Sequence, residues 1–191
     1  MTVTWIQTYR GFAVNLIEPD IKTICIEDIA RGLSRQCRYN GHCREFYSVA
    51  QHSVLVSEAI EKQLVHEGEI EELDELAMWG LMHDAAESYC GDVISPVKQI
   101  LRMVDDLEFG DIEARLMDVI IHRFNLAIPI PEIVREFDLR LLATERRDLF
   151  GPCSRDWKLQ FEPLLSTIKT WTPELSERRF LERFDELGGQ R

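Results

Sequence analysis

Apolar residues recur at helical spacing along most of the chain, and this pattern predicts a protein built mainly from α-helices. Capping residues and prolines mark the ends of several of these helices. The predicted helices cover residues 27–37, 48–65, 76–91, 96–121 with a break near 109–110, 131–150 and 173–187. Residues 5–17 alternate loosely around Arg10-Gly11, which indicates a short N-terminal β-hairpin. Because no repeat or linker divides the chain, the sequence predicts one all-α domain over residues 1–191, with the last helix packed on the outside.

The most informative stretch runs from Leu76 to Lys98. Residues 76–82 are almost entirely apolar, so their helix is predicted to be buried on most sides, yet it continues into His83, Asp84 and Glu87. Buried charges need partners, because an isolated buried charge costs several kcal/mol or more. A bound metal ion is one such partner. The alternative is a core histidine hydrogen-bonded to its neighbours, with the acids on a hydrated face.

Two further polar residues occupy inward positions on other predicted helices. His52 shares a helix face with apolar residues, and Asp138 lies within the apolar stripe of residues 131–150. Taken alone, His52 is better explained as a hydrogen-bonded core histidine than as a metal ligand. Together with His83 and Asp84, the set comprises two imidazoles and two carboxylates on three predicted helices. Such a mixed nitrogen and oxygen set suits Zn, Mn, Co, Fe or Mg.

The chain is acidic, with 34 Asp and Glu against 22 Lys and Arg and a net charge of −12. This balance argues against general nucleic-acid binding, which needs a cationic surface. Residues 105–113 carry several acids that we expect to be solvated. Basic residues nevertheless cluster where acids are absent, at Arg31, Arg35, Arg38, His42 and Arg44. The first three share a helical face suited to a phosphate, unless that face is solvated and pairs with the surplus acids.

Targeting and cysteine signals point to the cytoplasm. No run approaches the ~20 apolar residues that a membrane helix needs, and the N-terminus lacks the basic start and apolar stretch of a signal peptide. The five cysteines form an odd set without a CxxC pair. They therefore predict neither a disulfide framework nor a thiolate zinc site.

The order His52, His83-Asp84, Asp138 resembles the HD-domain metal-dependent phosphohydrolases, and most closely their 5′-deoxynucleotidase branch. That branch includes prophage-encoded members and phage deoxynucleotide triphosphohydrolases. The resemblance covers roughly residues 25–150. The motifs that carry it are Cys37-Arg38-Tyr39-Asn40-Gly41-His42, Ser48-Val49-Ala50-Gln51-His52-Ser53, His83-Asp84-Ala85-Ala86-Glu87 with Gly91-Asp92 and Pro96-Val97-Lys98, and Asp138-Leu139 with Ala143-Thr144-Glu145-Arg146-Arg147-Asp148.

The resemblance implies an HD-domain helical bundle that binds a divalent metal ion (Co, Mn, Zn or Mg). The implied metal ligands are His52, His83, Asp84 and Asp138. Glu87 and Asp92 would be the catalytic acids, which position the water or carry a proton. The implied substrate contacts are Arg38 on phosphate, Tyr39 beside the sugar and base, and Lys98, His42 and Arg35 on outer phosphates.

The expected activity is hydrolysis at the 5′-phosphate of a small deoxynucleotide, either a deoxynucleoside monophosphate or a triphosphate such as dATP. Hydrolases of the alarmone ppGpp are an alternative, although they carry Glu-Asp where this chain has Glu87-Ser88. A catalytically inactive HD scaffold or regulator is the other. No nucleic-acid or membrane partner is expected, whereas a homo-oligomer is expected from the related enzymes.

Overall fold

A computed structural model describes residues 4–102 and 109–191 of the chain. Residues 103–108, with three of the acids predicted to be solvated, lie outside the described residues. Two short strands come first, β1 Trp5–Gln7 and β2 Ala13–Asn15. The helices of the described residues are α1 Ile26–Arg35, α2 Val49–Glu67, α3 Leu73–Met82, α4 Glu87–Cys90, α5 Ser95–Arg102, α6 Phe109–Phe124, α7 Glu132–Leu149 and α8 Pro173–Glu186.

The predominance of helices confirms the predicted all-α class, and the N-terminal hairpin is confirmed as well. Strands β1 and β2 pair antiparallel with Ile6 opposite Val14, and Gly11 in the connecting turn takes a φ of +87° that favours glycine. Val14 is fully buried, so the hairpin covers part of the core. Within the described residues, every helix falls short of the length and apolar character required to span a lipid bilayer.

Helix α2 runs through the middle of the fold and begins where the sequence predicts. The Ser48 hydroxyl accepts a hydrogen bond of 3.1 Å from the backbone N–H of Gln51, which satisfies one of the free donors in the first turn. The Gln51 side chain donates to the Lys169 carbonyl at 2.8 Å and accepts from the Trp171 N–H at 2.9 Å. The start of α2 is thereby fixed to the segment that precedes α8.

Helix α3 packs against α2 at Gly80. A Cβ atom at this position would lie 3.0 Å from the Cα of Ser57 and 2.8 Å from Cδ1 of Ile60. A side chain at position 80 would therefore push the two helices apart. Their close approach brings His83, just after α3, next to His52 on α2, with the two ring centroids 5.3 Å apart.

The predicted single helix over residues 76–91 is interrupted. Helix α3 ends at Met82, and α4 starts only at Glu87. Between them the backbone hydrogen bonds join residues that are three apart, for example the Glu87 N–H and the Asp84 carbonyl oxygen at 3.0 Å. This tighter winding aligns residues three apart, so Asp84 and Glu87 share a side more closely than an α-helix would allow.

Helix α8 packs one face against the core and leaves the rest of its surface partly or fully exposed. Phe180 and Phe184 are almost completely buried, and Phe184 meets Phe124 of α6 in an edge-on contact with centroids 5.5 Å apart. Arg183 is also buried and donates from Nε to the Ser57 hydroxyl of α2 at 3.0 Å. The two phenylalanines are four residues apart and form the buried stripe of this helix.

Candidate metal centre

His52 is completely buried in the first turn of α2. Its Nδ1 lies 2.7 Å from Oε1 of Glu145, a carboxylate on α7 that is itself fully buried. Because an ionised carboxylate only accepts hydrogen bonds, Nδ1 carries the proton of the neutral imidazole, and Nε2 is the nitrogen that can bind an ion. This Nε2 atom has no hydrogen-bond partner among the described residues, although it lies 3.1 Å from Oδ1 of Asp138.

His83 is held in the same tautomer by a different acceptor. Its Nδ1 lies 2.8 Å from the carbonyl oxygen of Gly80, which can only accept. Nε2 of His83 is again a buried atom without a hydrogen-bond partner in the described structure, at 3.3 Å from Oδ2 of Asp84. Burial opposes a positive charge on His83, but the neighbouring Asp84 carboxylate outweighs it and raises the pKa of His83 to about 9.

The side chains predicted to bind metal converge on one point. Ligand atoms of His52, His83 and Asp138 all lie within 4.8 Å of one another. Oδ2 of Asp84 is 3.3 Å from His83 Nε2 and 3.8 Å from His52 Nε2. His52, His83 and Asp138 can therefore hold a divalent metal ion, and Asp84 lies close enough to join them.

The chemistry of the donors fits a metal better than a hydrogen-bonded core. The Nε2 atoms of two imidazoles face two carboxylates, and metal-bound histidines characteristically donate their other N–H to a carboxylate or carbonyl, as both do here. Leaving buried polar atoms unpaired costs about 1–3 kcal/mol each. Coordination of an ion would satisfy both nitrogens at once.

Glu145 organises the residues behind the site. Its oxygens accept hydrogen bonds from the Tyr47 hydroxyl at 2.8 Å, from the Tyr39 hydroxyl and from His52, and Arg38 Nε lies 3.6 Å away. Burial alone would raise the pKa of Glu145, but Arg38 and the hydrogen bonds from His52 and Tyr39 hold it below its ordinary value. Glu145 thus links a candidate metal ligand to two residues predicted to contact substrate.

The sequence predictions gave Glu145 no role of its own. It lies in the charged run 144–148, which resembles a solvated helix end. Its spacing from Asp138 is nevertheless seven residues, which places both acids on the same face of α7. That spacing is the signal that could have identified it.

Arg38 reaches the site from a strained connection between α1 and α2. Tyr39 and Asn40 both adopt left-handed backbone conformations, with φ of 56° and 52°. Such conformations cost on the order of 1–3 kcal/mol each for residues other than glycine and persist where surrounding contacts enforce them. Here the Arg38 N–H donates to the Tyr47 carbonyl at 3.0 Å and the Tyr39 hydroxyl to Glu145. Arg38 NH1 consequently lies 3.3 Å from Oδ2 of Asp84.

A pocket of about 680 Å³ opens beside the cluster. Arg38, Tyr39, Asp84, Asp138, Glu87, Asp92 and Lys98 are among the residues that line it. Both of the predicted catalytic acids and most of the predicted substrate contacts are therefore brought together.

Glu87 is buried, and its Oε2 atom has no hydrogen-bond partner in the described structure. Burial, followed by the carboxylates of Asp84 and Asp92, raises the pKa of Glu87 to about 9. Lys98 lies 3.7 Å from the other Glu87 oxygen but pairs more closely with Glu113, at 2.6 Å. Gln36 holds this segment by donating to the Glu87 carbonyl and accepting from the Asp92 N–H.

Two of the predicted substrate contacts are placed elsewhere. Helix α1 ends at Arg35, so the helical face that was predicted to include Arg38 does not exist. Arg35 instead pairs with Glu177 of α8 at 2.6 Å, and Arg31 pairs with the same carboxylate at 3.2 Å. For these two arginines the alternative, pairing with surplus acids, is the correct one. His42 is exposed, and the described residues that line the pocket do not include it.

The five cysteines are free, and Cys25, Cys37, Cys43 and Cys90 are only partly exposed. None of them belongs to the cluster of potential metal ligands found among the described residues.

Comparison with known proteins gives relatives without an assigned activity. No family model matches the chain. It is 34% identical over 191 aligned residues to the uncharacterized protein YfdR of Escherichia coli strain K12, covering 97% of this chain and 96% of that protein. It is also 33% identical over 137 residues to the uncharacterized protein RCAP_rcc00048 of Rhodobacter capsulatus, covering 71% of this chain and 65% of that protein. The chain belongs to the same protein family as YfdR.

Proposed function

We propose that this protein is an HD-type, metal-dependent phosphohydrolase that acts on the 5′-phosphate of small deoxynucleotides. The observation that carries the proposal is the pair of buried Nε2 atoms on His52 and His83, which face Asp84 and Asp138 and lack hydrogen-bond partners in the described residues. The HD resemblance of the sequence rests on these same four residues. Their placement at the edge of a pocket large enough for a small ligand supports the same conclusion.

A divalent ion held by these ligands would supply Lewis-acid catalysis and a water of lowered pKa. Arg38 would bind the phosphate, because its buried guanidinium lies beside Asp84 and lines the same pocket. Glu87 would pass a proton to the leaving oxygen of the nucleoside. The raised pKa supports this role, since the side chain retains its proton at neutral pH in the absence of a metal ion. Asp92 is the second candidate for carrying a proton.

The distribution of charge favours a monophosphate over a triphosphate. Of the three groups predicted to reach outer phosphates, only Lys98 lines the pocket, and Glu113 already neutralises it. The described lining also carries four acidic side chains, of which Glu87 retains its proton, against two cations. A triphosphate would bring further negative charge into these surroundings, whereas the metal ion and Arg38 suffice for one phosphate.

The proposal is tested by a product assay. Protein loaded with Mn, Co, Zn or Mg is incubated separately with each deoxynucleoside monophosphate, each triphosphate and ppGpp, and the products are separated by ion-exchange chromatography. We expect nucleoside and inorganic phosphate from a monophosphate. Nucleoside with intact triphosphate would keep the phosphohydrolase proposal and overturn the preference for a monophosphate. No product with any ion would contradict the proposal and favour an inactive scaffold.

Glu87→Gln should lower turnover and at the same time raise the stability of the metal-free protein. We expect metal binding to be retained and turnover to fall on the order of 10²-fold or more, because glutamine cannot deliver the proton. We also expect the metal-free variant to be more stable than metal-free wild type at pH 8. Each ~1 kcal/mol gained in the free energy of unfolding raises Tm by roughly 2–4 °C. Folding raises the pKa of this carboxyl from about 4.5 to about 9. Its ionisation is therefore less favourable in the folded chain, and the protein loses stability as pH rises between these two values.

The pH dependence checks this prediction internally. The difference in Tm between Glu87→Gln and wild type should vanish at about pH 3.5 and below, where the carboxyl is protonated in both folded and unfolded chains. Glu69→Gln, in the exposed loop after α2, is the matched control and should change neither turnover nor Tm. Normal turnover by Glu87→Gln would show that another group handles the proton.

A further inference from the structure

The pocket beside the metal-ligand cluster has an apolar wall as well as a charged one. Val93, Ile94 and Pro96 supply part of it, and the rest comes from α7 and the segment that follows α7. The residues from α7 and this segment are Leu139, Leu142, Phe150, Trp157 and Leu159. A site that bound only a phosphate would have no use for such a surface, because a free phosphate presents no apolar area to bury.

Three aromatic rings on this side form a continuous cluster. The Tyr39 ring meets Phe150 edge-on at 5.0 Å and Trp157 at 6.0 Å between centroids, and Phe150 and Trp157 are 5.1 Å apart. The Arg38 guanidinium lies 5.4 Å from the Tyr39 centroid. The aromatic cluster is therefore adjacent to the residue proposed to bind phosphate.

Trp157 is held in place by a residue of α7 and by a turn in its own segment. The Arg146 guanidinium lies 5.4 Å from its ring centroid, and the following residue, Lys158, takes a φ of +52°. The Asp156 carboxylate stabilises this turn by accepting from the Lys158 N–H at 3.0 Å. Trp157 remains half-buried and lines the pocket, so part of its ring is available to a ligand.

Building on the function proposed above, we propose that Trp157 and Phe150 form the subsite for the base of the nucleotide. The surface suits an aromatic ring, since base stacking on aromatic side chains contributes to binding for any base. Side chains able to read the edge of a base are scarce there, because four of the five lining residues from α7 and the segment after it offer no hydrogen-bonding group, and the Tyr39 hydroxyl is already bound to Glu145. The subsite therefore accepts different bases and favours purines, which present the larger face.

Calorimetric binding tests this assignment. The Mn²⁺-loaded Glu87→Gln protein, with and without Trp157→Ala or Trp157→Phe, is titrated with dAMP, with deoxyadenosine and with 2-deoxyribose 5-phosphate. We expect Trp157→Ala to weaken binding of dAMP and deoxyadenosine on the order of 10- to 100-fold. Binding of the sugar phosphate should not change, and Trp157→Phe should keep most of the affinity for both adenine compounds.

The three ligands separate the possible failures. Equal weakening of dAMP and of the sugar phosphate by Trp157→Ala, or no weakening of either adenine compound, would overturn the base subsite. If the Glu87→Gln protein binds no sugar phosphate, and Trp157→Ala removes its binding of deoxyadenosine, the base subsite would be supported and the proposed function overturned. Trp5→Ala, which removes a half-exposed tryptophan from β1, is the matched control and should leave all three affinities unchanged.

Discussion

Replacing Asp84 with alanine should abolish both metal binding and hydrolysis. Asp84 Oδ2 lies 3.3 Å from His83 Nε2, 3.8 Å from His52 Nε2 and 3.3 Å from Arg38 NH1. The substitution removes a negative charge that would compensate the ion and leaves the Arg38 guanidinium without its closer acid. We expect affinity for Mn²⁺ or Co²⁺ to fall by more than the ~10- to 100-fold that loss of an outer hydrogen-bond partner costs. Equilibrium dialysis with elemental analysis measures the bound ion, and the product assay measures hydrolysis.

Asp118→Ala provides the control for this experiment. Asp118 is an exposed acid on α6, and its only close partner among the described residues is His122. Asp118→Ala changes the net charge by the same amount as Asp84→Ala. It should retain both bound metal and activity. If Asp84→Ala kept full activity, the assignment of the metal site would be wrong.

Replacing Glu145 should have the second-largest effect, and it should act on folding as well as on the metal. In Glu145→Ala, the buried guanidinium of Arg38, the hydroxyls of Tyr39 and Tyr47 and the Nδ1–H of His52 would all lose their acceptor. Removing one partner of a buried ion pair costs about 3–5 kcal/mol. We therefore expect a large fall in the free energy of unfolding, measured with urea.

Glu145→Gln distinguishes a positioning role from a purely structural one. The amide retains the size of the side chain, but it offers His52 a weaker acceptor and so fixes the ring tautomer less firmly. We expect metal affinity to fall about 10- to 100-fold while most of the stability is retained. Glu136→Gln, on the more exposed side of α7, should change neither property. Wild-type metal affinity in Glu145→Gln would show that Glu145 does not act through His52.

The fold class and the principal polar cluster could be predicted because each depends on local pattern. His52, His83, Asp84 and Asp138 each interrupt an apolar helix face, and side chains on such faces must point towards the interior. Their meeting in space required only that the three segments pack together. The hairpin around Gly11 and the cap at Ser48 follow from equally short-range signals.

The errors concern features set by distant parts of the chain. The pairing of Arg31 and Arg35 with Glu177 depends on where α8 docks, which the spacing of the arginines cannot reveal. The winding between Met82 and Glu87 is a property of the packed site and not of residue propensity. Glu145 looked like a surface acid because its neighbours are charged, and only its partners on α2 and in the 38–47 segment identify it as an interior group.

Titration of the metal-stripped protein tests whether the proposed hydrolysis depends on an ion bound at this site. Mn²⁺ is added stepwise to the wild-type chain and to Asp138→Asn, while bound ion and phosphate release from deoxynucleoside monophosphates are followed in the same samples. We expect wild-type activity to rise in proportion to bound ion until the site is filled. Asp138→Asn should bind less ion and release less phosphate at the same ion concentration. Hydrolysis that proceeds in full before any ion is bound, or ion binding that is identical in Asp138→Asn, would contradict the proposed metal site.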